Sequence, residues 1–216
     1  MSAYLTASEV IDWQHPEILA LAQQLAVGRE DVRAIAQVCF EWVRDEIYHS
    51  VDYRMNPVTW RASDVLQHRT GYCFAKSHLL AALLRANQIP TGFCYQRLSI
   101  DDQGDPFSLH GFNGAFLPDI GWYRFDARGN KPGINAQFSP PVEQLAYQPQ
   151  ITGEQDFSAI LAAPLPIVIE ALQRSSTWET ALHNLPDVLP AEAPQHGLMG
   201  ESVRRKAASF LPSPTD

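Results

Sequence analysis

Gly71-Tyr72-Cys73-Phe74-Ala75-Lys76-Ser77-His78-Leu79-Leu80-Ala81-Ala82-Leu83-Leu84-Arg85 is the stretch on which the reading of the fold turns. Gly71 can supply an unusual backbone angle, and the Ala, Leu and Lys that follow favour helix for more than three turns. A helix is therefore expected over residues 73–87, nearly apolar on every side and so buried. It ends before Ile89-Pro90, because a residue preceding proline avoids the helical region. Cys73 falls in its first turn, among unpaired backbone N–H groups and the positive end of the helix dipole. That setting favours the thiolate, the nucleophilic form of cysteine.

Downstream of this helix the pattern changes to sheet. Thr91 to Ile100 is rich in aromatic and β-compatible residues, and Asp101-Asp102-Gln103-Gly104-Asp105-Pro106 is a turn cluster. Phe107–Leu117 and Trp122–Ala127 read as two further strands. The short link Pro118-Asp119-Ile120-Gly121 makes them an antiparallel hairpin. With Phe116 opposite Trp122, Phe112 falls opposite Asp126 and His110 lies diagonal to Asp126 on the same face, close enough for side chains to bridge. A slip of one residue would separate them.

Upstream, Pro16 stands at a helix-start position for a helix over Glu17–Val27. A stronger one spans Asp31–His49, with Val32, Ile35, Ala36, Cys39, Val43 and Ile47 at helical spacing. Tyr48–Trp60 has no period and reads as a loop. Ser63–Gln67 reads as a short helix. Residues 128–153, with many Gly, Pro, Asn and Gln, are expected to wrap the domain irregularly. One or two helices are expected within 157–184. The reading is a single domain over 1–189 with its core at about 35–128, followed by a Pro/Ala-rich tail over 190–216. That tail has a short amphipathic helix near Glu201–Leu211 and a potential role in homo-oligomerisation.

The 216 residues are 45% hydrophobic and 19% charged, with a formal net charge of −8. A field of that sign repels nucleic acid and anionic membrane surfaces, so neither is expected as a partner. No apolar run approaches the ~18 residues of a membrane span, and Met1–Trp13 lacks the basic-then-apolar pattern of a secretory signal. Cys39, Cys73 and Cys94 form an odd set without pair spacing. This fits a reducing compartment, and a cytoplasmic location is expected. Cys39 and Cys94 read as packing.

A cysteine nucleophile needs a base, and the base an orienting acceptor. Cys73, His110 and Asp126 supply these in chain order. His110 takes the thiol proton and returns it to a leaving group, and Asp126 fixes its tautomer. The Cys73 backbone N–H is one oxyanion donor. Trp60, Tyr53, Asn56 and Gln67 are candidates for a second. Arg128 could hold a substrate carboxylate or pair with an acidic residue, and Trp60 could line a groove or pack in the core. Cys73, His78 and His110 are zinc-ligand types, but Cys73 and His78 stand five apart and do not share a helix face, so no metal is expected. His49, His68, His183 and His196 fall into no pattern.

Three motifs together resemble the transglutaminase-like superfamily. Gly71-Tyr72-Cys73 with Leu83-Leu84-Arg85-Ala86-Asn87-Gln88-Ile89-Pro90 is similar to its G-x-C and L-R-A-x-G-I-P segments. His110-Gly111-Phe112 is similar to its strand H-A-W, and Gly121-Trp122-Tyr123-Arg124-Phe125-Asp126 to its last G-W strand ending in aspartate. The departures are Gln88 for Gly and Gly111-Phe112 for Ala-Trp, and neither removes a reacting atom. The resemblance implies an α+β, papain-like cysteine-proteinase fold. It also implies cofactor-free acyl transfer through a thioester, by transamidation or by hydrolysis of a peptide, protein or small amide substrate. The alternative is a noncatalytic peptide-binding scaffold of the same fold.

Overall fold

The computed structural model describes residues 1–194. The expected helix near Glu201–Leu211, and most of the tail assigned to oligomerisation, lie outside the described residues. Helix α1 (Pro16–Ala26) has Pro16 in its first turn, and α2 (Val32–Glu46) is capped by Asp31, which accepts from the Arg33 and Ala34 N–H groups. The chain then forms β1 (Tyr48–His49), a single helical turn α3 (Ser50–Tyr53), α4 (Ala62–His68) and β2 (Thr70–Gly71). The central helix α5 spans Cys73–Ala86. Strands β3 (Thr91–Ser99), β4 (Phe107–Leu117), β5 (Gly121–Phe125) and β6 (Gln155–Asp156) follow, then helices α6 (Pro166–Arg174) and α7 (Trp178–His183). Among the described residues no helix is long and apolar enough to cross a membrane.

These last four strands form one antiparallel sheet in the order β5-β4-β3-β6. The hairpin register is the expected one: Phe116 pairs with Trp122 and Asn113 with Phe125. Every residue of α5 from Cys73 to Arg85 is buried, so the helix lies inside the domain between α1, α2, α4 and the sheet. Its packing on β4 is close. A Cβ at Gly111 would come within 2.6 Å of Phe74 Cδ1, so the absence of a side chain lets the first turn of α5 lie against the strand. The departure from the family's alanine is therefore matched to the phenylalanine that follows Cys73. Asn113 fixes the same contact by donating to Ser77 O at 3.0 Å and Gly92 O at 3.2 Å.

Arg85 and Lys76, buried on α5, are each tied to backbone carbonyls, as burial requires. Arg85 donates to the carbonyls of Thr6 (2.6 Å), Thr91 (2.7 and 3.2 Å) and Ala162 (2.7 Å). It thereby joins three segments remote in sequence. Lys76 Nζ donates to the carbonyls of Arg44 and Ile47 at the end of α2. Burial, with Arg128 nearby, lowers its pKa to about 7.

Three expectations need correction. The second helix ends at Glu46 rather than His49, because Tyr48 and His49 pair in parallel with Thr70 and Gly71. Residues 48–60 are consequently not all loop. The apolar start of the 157–184 region is not helical, since Phe157 and Leu161 bond along β3 through Tyr95 O and Phe93. The helix begins only at Pro166, whose fixed φ suits a first turn.

Candidate active site

β4 carries His110, and the chain leaving β5 carries Asp126. The continuation of the hairpin register brings them together: His110 Nε2 lies 2.7 Å from Asp126 Oδ2. Asp126 is 1% exposed. It also accepts the Ala146 N–H at 3.2 Å and, through Oδ1, the Arg128 N–H at 3.0 Å. Burial alone would raise its pKa, but His110 and these backbone donors hold it below the usual carboxylate value. With Nε2 held by the carboxylate, Nδ1 is the nitrogen left for the thiol. Burial alone would lower the His110 pKa, but Asp126 and then Cys73, by charge and by hydrogen bonding, raise it to about 10.

Cys73 and His110 line one cleft of about 920 Å³, 8% and 6% exposed. No side chain caps the start of α5, so the N–H groups of its first turn are not held by a neighbouring side chain. Its lining includes the apolar residues Leu98, Ile100, Leu109 and Leu182. The polar end holds His49, Asp52, Arg128 and Lys131. Asp52 accepts from both Arg128 guanidinium nitrogens and from Lys131 Nζ at 2.7 Å. Burial opposes its ionisation, but these donors bring its pKa down to about 2. Arg128 therefore borders the cleft with its guanidinium committed to Asp52, the acidic pairing weighed against a carboxylate-binding role.

Trp60 does not line the cleft. It packs beside the main core, its carbonyl faces His78 Nδ1 at 2.7 Å, and its ring carries the Arg61 guanidinium at 4.3 Å. The other candidate oxyanion donors are also elsewhere. Tyr53 pairs with Tyr48, the Asn56 side chain accepts the Trp178 N–H, and Gln67 is exposed on α4. His78 is buried against Trp60, and among the described residues no group of three His, Cys, Asp or Glu could hold a metal ion.

Two cleft residues escaped the sequence reading. Tyr147 sets its ring edge on His110, centroids 4.9 Å apart, from within the Gln- and Pro-rich segment read only as wrapping. As one of only two aromatics in that segment, with Phe138, it offered a weak signal. His49 reaches the cleft through the β1–β2 pairing, which a two-residue strand does not announce.

A cysteine at a buried helix start, with a His–Asp pair supplied by an antiparallel hairpin at the same cleft, has the architecture of the papain-like fold. The model of the transglutaminase-like superfamily matches residues 19–127, and the chain belongs to that superfamily of cysteine-dependent enzymes. Among solved structures it is similar to a chain from Cytophaga hutchinsonii provisionally named a cysteine protease, at 22% identity over 58% of this chain and 40% of that one, TM-score 0.47. It is also similar to the periplasmic domain of TgpA from Pseudomonas aeruginosa, at 20% identity over 57% and 45%, TM-score 0.43. The chain thus spans less than half the length of either. No curated protein matches it.

Proposed function

We propose that the protein performs thiol-dependent acyl transfer, or amide or peptide hydrolysis, through a thioester on Cys73. The observation that carries this is the 2.7 Å His110–Asp126 contact at the cleft that Cys73 enters. His110 holds the thiol proton on Nδ1 while Asp126 stabilises the imidazolium. Sulfur attacks the carbonyl carbon and the C=O π pair moves to oxygen. Collapse breaks the bond to the leaving amine, which takes the proton from His110. Water or a second amine then gives a proton back to His110 and displaces Cys73. Peptides, proteins or small amides are the proposed substrates, with Arg128 able to meet a substrate carboxylate only by sharing its guanidinium with Asp52. The reaction uses no cofactor. We assign it to a reducing, cytoplasmic setting, in keeping with three unpaired cysteines.

The test is selective labelling followed by adduct mass. Iodoacetamide at neutral pH should modify Cys73 alone. Cys39 and Cys94 are fully buried, and burial pushes the Cys39 thiol up to about 12 and raises that of Cys94 also. His110→Ala should slow labelling. A peptide and amide library should then leave an acyl group on Cys73 detectable by intact mass. Equal, slow labelling of all three cysteines would instead identify a noncatalytic peptide-binding scaffold.

A further inference from the structure

His49 is the buried histidine at the cleft that the His110–Asp126 pair does not use. Its pairing with Gly71 in the parallel β1–β2 ladder places it beside the chain two residues before the thiol. It is 8% exposed and lines the same cleft as Cys73. Its ring makes an edge contact to Tyr72 at 5.7 Å between centroids. Nδ1 is sealed from solvent and, among the described residues, has no hydrogen-bond partner; it lies 3.9 Å from Asp52 Oδ2. Nε2 is the nitrogen left to face the cleft. A buried imidazole lining the cleft beside an uncapped helix start stands where a ligand oxygen can be received.

The surroundings bear on its charge. Burial first, then Arg128, Lys76 and His110, push the His49 pKa well below its usual value, against Asp52 alone. The ring is neutral and carries one proton. Asp52 is itself engaged by Arg128 and Lys131, so its charge does not offset burial and the nearby cations. His49 also occupies the N-cap position of α3, where no side chain satisfies the first N–H groups. A neutral imidazole acting as a donor can polarise a carbonyl without giving up its proton.

We propose that His49 donates its Nε2–H to the carbonyl oxygen of the acyl group attacked by Cys73, completing an oxyanion site with the backbone N–H groups at the start of α5. This rests on the thioester reading of the cleft. As sulfur bonds to the carbonyl carbon, the π pair gathers on that oxygen. The hydrogen bond from His49 shortens as the charge grows and relaxes when the leaving group departs, with no net proton transfer.

The test uses p-nitrophenyl acetate on wild type, Cys73→Ala, His49→Ala and His49→Gln. It follows p-nitrophenolate release and the acetyl adduct by intact mass. His49→Ala should slow acetylation of Cys73 by about 10²–10³-fold, mainly in kcat. It should leave iodoacetamide labelling unchanged, because alkylation develops no oxyanion. His49→Gln, which restores an N–H donor of similar reach, should recover much of the rate. Acetylation of His49→Ala at the wild-type rate would overturn the proposal. So would a parallel loss of acetylation and alkylation, which marks a merely structural role. Nitrogen-15 NMR of the resting protein at neutral pH supplies a readout independent of any substrate. A neutral His49 protonated on Nε2 is expected, and a proton on Nδ1 or a charged ring overturns the assignment. If wild type takes up no acetyl group, it is the thioester reading that fails, and the tautomer still decides the role of His49.

Discussion

The substitution Asp126→Asn tests the electrostatic centre of the site most directly. The raised His110 pKa means that its imidazolium is favoured by the fold. A rise from 6.5 to about 10, at about 1.4 kcal/mol per pH unit, corresponds to on the order of 5 kcal/mol. The sign follows from linkage: this stability is fully present below the unfolded pKa near 6.5 and is lost as pH rises through about 10. The amide that replaces the carboxylate carries no charge. Its oxygen can still accept the Arg128 N–H, but its NH₂ would face His110 Nε2, forcing the ring proton onto Nδ1. That tautomer cannot take the proton of Cys73. Urea unfolding of wild type should therefore show stability falling by several kcal/mol between pH 7 and pH 10, roughly the linkage of one such group. The variant, whatever its absolute stability, should show a much flatter profile over that window. The NMR titration midpoint of His110 should drop in the variant, by less than the full rise because Cys73 also raises it. Parallel stability profiles, together with an unmoved midpoint, would refute the ion-pair account of His110 and Asp126.

Other perturbations reach the supports of the site. Gly111→Ala would drive a methyl group into Phe74 Cδ1 at 2.6 Å. It should cost about 1–3 kcal/mol in chemical denaturation and slow labelling of the neighbouring Cys73; restoring stability and labelling by a second change of Phe74→Leu would confirm the cause. Arg85→Met keeps bulk but leaves the carbonyls of Thr6, Thr91 and Ala162 without their donor. A loss of at least about 3 kcal/mol is expected, and a loss within experimental error would show that water replaces the guanidinium. Tyr147→Leu removes the ring edge set on His110 at 4.9 Å. It should lower the acylation rate by disturbing imidazole orientation while unfolding remains cooperative, and an unchanged rate would show that Asp126 alone orients the ring.

The placement of Cys73, His110 and Asp126 was legible because each part rests on a local rule. Gly71 through Arg85 declares a buried helix by composition, and its glycine–cysteine start fixes where the thiol stands. The short link after Leu117 leaves few registers, and the one with Phe116 opposite Trp122 carries His110 and Asp126 to one place. What stayed hidden depends on pairings with no sequence period. Tyr48 and His49 form a strand of two residues whose partner lies beyond a helical turn and α4. No alternation can signal it, so His49 looked like the end of a helix. Phe157 to Leu161 is an apolar run that would serve a helix equally well. Only the free edge of β3, which takes up the Phe157 and Leu161 N–H groups, decides against one. Trp60 failed for a related reason: an aromatic before a helix can face a cleft or the core, and here His78 claims its carbonyl. Local chemistry therefore places the proposed nucleophile and its base, whereas the groups proposed to meet the substrate's oxygen are set by nonlocal contacts. Exchanging His49 should therefore alter acylation more than thiol reactivity.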